Sequence, residues 1–304
     1  MIVPDLHPTE RVARINGSDL HYWVYREELG PTAETVLIVH GLRGTHHGLE
    51  LIAAGLTGRR VVIPDLPGFG DSGPMDTRHD VAGYAEVITE LIGRLDGAGR
   101  PLVLIGHSFG SIIASRLAAM NPSLVRRLVL INPIAQSALR GPHAALAGLT
   151  AAYYTLGERL PSRAGRSLLT NRWVVLAASR AMTRTRDKQL RGFIDDNHLR
   201  HFSRFHSPTV VNECFQASVT HTVTDYADQL SMPVLLVAGE HDEIAPLEGQ
   251  RALAARLPDA ELVVIADVGH LVHYETPEAA AVEIVRFLGR SDHREKVAVP
   301  EQIR

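Results

Sequence analysis

The chain has 304 residues, of which 45% are hydrophobic and 21% charged, with a formal net charge of -3 and a pI near 6.6. That length suits one large core carrying an insertion, and the composition excludes a disordered chain. The near-neutral balance offers no global basic field for nucleic acid, and the single cysteine, Cys214, excludes a disulfide scaffold and fits a reducing compartment.

From the N-terminus, Met1 to Glu10 carries two acids and two prolines and no apolar stretch of the kind a signal peptide needs. Apolar runs elsewhere, such as Val36 to Val39, are strand-sized, far short of the ~18 residues of a membrane span. A soluble, cytoplasmic chain acting on a small molecule is expected. Val12 to Ile15 and Leu20 to Tyr25 flank Asn16-Gly17, a dipeptide suited to a tight hairpin turn. Strand-like runs then recur at Thr35 to Val39, Arg60 to Ile63, Leu102 to Ile105, Arg127 to Ile131, Val234 to Val237 and Leu262 to Ile265, separated by stretches with helical spacing. Val36 to Val39, Leu102 to Ile105, Val234 to Val237 and Leu262 to Ile265 are apolar without alternation, as in a parallel sheet covered by helices on both faces.

The segment Leu102 to Gly110 runs from a buried strand into Gly106-His107-Ser108-Phe109-Gly110, followed by a helix-compatible stretch to Met120. A serine on such a strained strand-to-helix turn needs small neighbours two residues away on either side, and Gly106 and Gly110 meet that need. The helix that follows aims its first amides at developing negative charge.

Between Pro133 and Met232 the strand rhythm stops, and helical spacing takes over, as in Leu190, Phe193, Ile194, His198, His201, Phe202 and Phe205, in Trp173 to Leu176 and in Val210 to Val219. We expect a helical insertion over residues 134–229 in a core formed by 1–133 and 230–290, with 291–304 as a frayed tail. From Arg159 to Arg204 there are eleven Lys or Arg residues against three acids. The plain reading is arginines coating the solvent face of apolar helices. The functional reading is attraction of an anionic substrate such as a carboxylate, an acyl-coenzyme A thioester or an acidic carrier protein.

A serine hydroxyl is a weak nucleophile and needs a base oriented by an acid, which follow in the order Ser, Asp or Glu, His in this topology. Gly239-Glu240-His241-Asp242-Glu243 follows one late strand, and Asp267-Val268-Gly269-His270 follows the next. Asp242 is favoured over Glu240 and Glu243, and His270 over His273. Loops at that edge of an open parallel sheet are where ligands collect. His46 and His47 with His40, and His198, His201 and His206, lack the acidic or cysteine partners at the spacing of known zinc motifs. No phosphate-loop or dinucleotide fingerprint occurs, and Gly68 to Gly73 reads as a plain loop. Neither metal nor organic cofactor is expected, and Cys214 reads as a core filler.

Taken together, these segments resemble the α/β-hydrolase fold superfamily, in its capped serine-hydrolase form, over about Arg11 to Gly289. His40-Gly41-Leu42 is similar to the family's oxyanion turn, Asp65 to Ser72 to its post-strand loop, Gly106 to Gly110 to its nucleophile elbow, Gly239 to Asp242 to its acid loop, and Gly269-His270 to its histidine loop. The resemblance implies a mostly parallel eight-stranded sheet with helices on both faces and an inserted helical cap. It also implies a triad of Ser108, Asp242 and His270, with the backbone amides of Leu42 and Phe109 as oxyanion hole. Many relatives carry an aromatic residue where Leu42 stands. Position and size nominate Arg43, Ile134, Tyr153, Tyr154 and Trp173 for the substrate pocket. The expected activity is carboxylic ester or thioester hydrolysis. The alternatives are carbon–carbon bond hydrolysis of a ring-cleavage product, a perhydrolase or haloperoxidase-like activity, and ligand binding with a vestigial triad. Relatives that use a carboxylate nucleophile are disfavoured by Ser108.

Overall fold

The computed structural model describes residues 6–95, 100–139 and 144–290; the expected tail over 291–304 lies outside them. Eight strands form one sheet: β1 (Thr9–Ile15), β2 (Ser18–Tyr25), β3 (Thr35–Val39), β4 (Arg60–Pro64), β5 (Leu102–His107), β6 (Val125–Ile131), β7 (Val234–Gly239) and β8 (Ala260–Ile265). Their order is β1-β2-β4-β3-β5-β6-β7-β8, antiparallel where β2 meets β1 and β4 and parallel across the rest. This is the mostly parallel eight-stranded α/β sheet expected from the sequence. The β1–β2 turn has positive φ at both Asn16 (45°) and Gly17 (74°), the geometry that makes this dipeptide a hairpin signal.

Successive residues of each central strand point to opposite faces, which divides the apolar runs between two cores. Leu37, Val39, Leu104, Leu128, Leu130 and Leu236 join one core, Val36, Ile38, Val103, Ile105, Val129 and Val237 the other. The first is covered by α2 (Val81–Arg94), through Tyr84, Ile88 and Leu91, and by α3 (Phe109–Met120), through Ile112, Ile113 and Leu117. The second is covered by α1 (Glu50–Gly55) and the C-terminal helix, whose Ala280, Ile284 and Leu288 recur at helical spacing. Asp80 starts α2 by accepting the Gly83 amide at 3.0 Å. β8 departs from the two-sided burial that its sequence suggests: it closes the sheet at an edge, so it is only half-buried, with Val264 38% exposed.

Between β6 and β7 the described residues form α4 (Ala144–Arg159), α5 (Ser162–Leu169), α6 (Arg172–Met182), α7 (Lys188–His201) and α8 (Pro208–Thr220), then a 3-10 turn over Val223–Gln229. Helix α8 begins with Ser207 accepting the Val210 amide and Pro208 in its first turn, where a missing N–H costs nothing. The apolar spacing that extends to Phe205 outruns its helix. Helix α7 ends at His201, where Arg43 caps it by donating to the Phe202 carbonyl, and Phe205 instead forms a β-bridge with Phe69 of the core. The described residues finish with α9 (Leu247–Arg256), α10 (Val272–Glu275) and α11 (Pro277–Leu288). Among the described residues no helix is long and apolar enough to cross a membrane.

Candidate active site

Three loops at the C-terminal ends of β5, β7 and β8 bring Ser108, Asp242 and His270 together. Ser108 occupies the turn between β5 and α3 with φ 54° and ψ -121°, a strained conformation for a residue with a side chain. The turn closes only because its flanks are glycine: a Cβ on Gly106 would lie 2.4 Å from the Gly110 carbonyl oxygen, and one on Gly110 only 2.2 Å from that of Val39. The Ser111 hydroxyl donates to the Ser108 carbonyl at 2.5 Å and accepts the Ile134 amide at 3.2 Å, tying the elbow to the segment after β6.

His270 lies between the other two. Its Nε2 is 2.7 Å from Ser108 Oγ and its Nδ1 is 2.8 Å from Asp242 Oδ2. A carboxylate only accepts, so the imidazole proton sits on Nδ1 and Nε2 presents its lone pair to the serine hydroxyl. Close approach of the two loops requires Gly239, where a Cβ would sit 2.1 Å from the Gly269 carbonyl oxygen. Asp242 is buried, and each of its oxygens is held. Oδ1 accepts the amides of Ile244 (2.9 Å) and Ala245 (2.8 Å), while Oδ2 accepts Asn132 Nδ2 (2.8 Å) as well as His270. Burial by itself would raise the Asp242 pKa. The His270 ring, the Ala245 amide and Asn132 more than offset that and hold the carboxylate below its usual range.

The rival residues point elsewhere. Glu240 is exposed and accepts the Asp267 amide, and Glu243 pairs with Arg184. His273 is buried against His107, ring centroids 4.0 Å apart, and His107 in turn faces His270 at 5.4 Å. Burial, then the proximity of other imidazoles, pushes the His107 pKa down to about 3 and His273 well below its ordinary value, so both back the site as neutral rings.

On the other side of Ser108 the Gly41–Leu42 turn comes so close that a Cβ on Gly41 would be 3.1 Å from Ser108 Cβ. His40 shapes this turn, its Nδ1 donating to the Gly41 carbonyl at 2.7 Å and its Nε2 accepting the Leu66 amide at 2.8 Å. Phe109 opens α3, so its amide has no partner within the helix, and the Leu42 amide likewise has no acceptor among the described residues.

The residues nominated for a pocket divide. Ile134 is buried beside the elbow through Ser111. Tyr154 is buried against Phe215, and the half-buried Tyr153 donates its hydroxyl to the Leu168 carbonyl. Arg43 is a brace: it donates to the carbonyls of Leu169 (2.9 Å) and Phe202 (2.7 and 2.9 Å), closing the C-terminal ends of α5 and α7 with a positive charge. Trp173 is 70% exposed on α6 with Arg172 against its ring. Sequence reasoning missed Asn132, whose φ of 48° after β6 turns its amide toward Asp242. A non-glycine residue at a sharp turn after a buried strand was the available signal.

Residues 34–277 match a family model described as alpha/beta hydrolase fold. The chain is 25% identical over 282 residues to an uncharacterized hydrolase of Bacillus subtilis, covering 90% of this chain and 96% of that protein. It is 31% identical over 240 residues to a 2-hydroxymuconate semialdehyde hydrolase of Pseudomonas putida, covering 77% and 78% respectively. Among solved structures, the enol-lactonase from Burkholderia xenovorans LB400 superposes with a TM-score of 0.74 at 20% identity, over 92% of this chain and 100% of that one.

Proposed function

This chain belongs to the alpha/beta hydrolase fold family, and on that premise we propose that it is a serine hydrolase cleaving a carboxylic ester or thioester of a small to medium substrate through an acyl-enzyme on Ser108. The observation that carries the reading is the unbroken line of hydrogen bonds from Ser108 Oγ through His270 to the buried Asp242. Ser108 attacks the carbonyl carbon while His270 Nε2 takes the hydroxyl proton. Asp242 keeps the other ring proton on Nδ1 and stabilises the imidazolium. The oxyanion is received by the amides of Leu42 and Phe109, each such donor contributing about 3 kcal/mol in the transition state. His270 then protonates the departing alcohol or thiol. Water, deprotonated by the same nitrogen, attacks the acyl-serine and releases the acid.

Intact mass after treatment with a fluorophosphonate tests this without knowledge of the substrate. One adduct per chain in the wild type and none in Ser108→Ala is the expected result. An undiminished adduct in Ser108→Ala would assign the reactive group to another residue, and none in either protein with a probe small enough to pass the helical insertion would leave a ligand-binding role as the better account.

One comparison favours a second reading. The relative at 31% identity is named a 2-hydroxymuconate semialdehyde hydrolase, and the same three residues suit carbon–carbon hydrolysis of a dienoate ring-cleavage product. Parallel kcat/KM values for aryl esters and for such dienoates separate the two. The arginine-rich helices bear on charge preference: Arg180 is paired with Asp195, Arg184 with Glu243 and Arg204 with Asp71, which reduces but does not cancel their excess. If they steer an anionic substrate, such as an acyl-coenzyme A thioester or an acyl group on an acidic carrier protein, kcat/KM falls with salt for that substrate and not for a neutral ester.

A further inference from the structure

A second cluster of histidines, spread through the sequence, is gathered where the α4–α8 insertion meets the sheet domain. The 3-10 turn after β3 (His46–Leu49) carries His46 and His47, and Glu50 opens α1 directly behind them. One ligand-capable atom from each of His46, His47 and Glu50 lies within 4.8 Å of the other two. From the insertion, the last residue of α7, His201, lays its ring against that of His47 at 4.3 Å between centroids. His201 Nδ1 is buried and has no hydrogen-bond partner.

His46 and Glu50 are each held by a further partner. The His46 amide and Nδ1 both donate to the buried Asp65 carboxylate, at 2.7 and 3.0 Å, and Trp23 stacks on the ring at 3.3 Å between centroids. A carboxylate on Nδ1 fixes the tautomer and leaves a lone pair on Nε2, the arrangement found behind metal-bound imidazoles. Glu50 Oε1 is 3.2 Å from His47 Nδ1 and takes a longer contact of 3.4 Å from the Tyr25 hydroxyl. With metal–ligand bonds of ~2.0–2.1 Å, the edge of a tetrahedron is about 3.3 Å, so the His47–Glu50 separation already fits two ligands on one ion. Three imidazoles and one carboxylate form a set that suits zinc.

We propose that His46, His47 and Glu50 form a binding site for a zinc-like divalent cation that is completed by His201, so that the ion clamps the insertion onto the sheet domain. The site is separate from Ser108, and its function is to hold α7 in place. Asp65, which holds His46, accepts the Asp71 amide of the loop after β4 through its other oxygen.

The test is isothermal titration of the full-length, tag-free, EDTA-stripped protein with Zn2+, repeated with Co2+ to read the d–d absorption of a tetrahedral nitrogen and oxygen site. Thermal melts of each metal-free variant confirm folding. One ion per chain is expected, with binding weakened at least tenfold in His47→Gln and in His201→Gln. A Zn2+-dependent rise in Tm should be present in the wild type and lost in His201→Gln, and all these proteins should retain fluorophosphonate labelling of Ser108. Glu50→Gln, which keeps shape and removes charge, gives the same weakening if His47→Gln fails to fold. The rival cluster of Glu240, His241 and Asp267, all exposed, is controlled by His241→Gln. Loss of binding in His241→Gln alone, unchanged binding in His201→Gln, or no stoichiometric ion would each overturn the proposal.

Discussion

His198 gives a direct measure of how burial controls acid stability. Its side chain is 1% exposed on α7, packed on Phe202 at 4.1 Å between ring centroids, with Nδ1 lacking a partner. Burial is the main cause that moves its pKa down to about 4; Asp195 opposes the shift, and Arg43 and His201 reinforce it. In the unfolded chain the ring titrates near its ordinary value of ~6.5. The unfolded state therefore binds a proton that the native state refuses, so stability is full above about pH 6.5 and is lost as pH falls toward 4. At ~1.4 kcal/mol per pH unit, the passage from pH 7 to pH 5 removes about 2 kcal/mol through this one residue, a large part of a typical 5–15 kcal/mol. Urea unfolding of the wild type and His198→Leu at half-unit steps over that range, with EDTA present, reads the difference. His198→Leu should lose about 2 kcal/mol less than the wild type between pH 7 and pH 5, and be little changed at pH 7 because it deletes an unpartnered buried nitrogen. Parallel stability profiles for the two proteins would refute the reasoning, since they would mean that His198 takes up its proton equally easily folded and unfolded.

Three further outcomes follow from the geometry. Gly110→Ala places a methyl 2.2 Å from the Val39 carbonyl oxygen, and should cost more than ~3 kcal/mol in a urea titration or abolish soluble expression. Gly192→Ala, in the middle of α7 with nothing within 4 Å of the added carbon, should raise stability by about 0.5–1 kcal/mol in the same titration. Asn132→Gly keeps the positive φ but removes the donor to Asp242. A hydrogen bond to a charged group is worth ~1.5–3 kcal/mol, so kcat/KM on an aryl ester and the rate of fluorophosphonate labelling should both fall by roughly 10- to 100-fold. A labelling rate equal to wild type would show that Asn132 does not position Asp242.

The elements themselves were legible because their signals are local. Two-sided apolar runs, the Asn16-Gly17 turn and the glycines around Ser108 each report backbone geometry over a few residues, and the observed sheet uses all of them. Choosing among Glu240, Asp242 and Glu243 was harder. Three carboxylates within four positions of one loop differ only in which way the turn aims them, and the amides of Ile244 and Ala245 aim Asp242 inward. For Arg43 and Trp173 too, residue type and position in the chain carry no information about what lies across the gap. The Arg43 guanidinium meets carbonyls more than a hundred residues away, and Trp173 is 70% exposed with Arg172 against its ring. Chain position grouped His46 and His47 with His40, and His201 with His198 and His206, so it gave no reason to join the first pair to His201. Here α7 arrives from the insertion to meet the turn after β3, a contact set by helix packing over 150 residues of intervening chain. The sequence by itself determined the strands, the turns and the sheet-edge loops that carry Ser108, Asp242 and His270. Only the tertiary structure decided which side chains face one another, because that depends on how the apolar faces of distant elements pack.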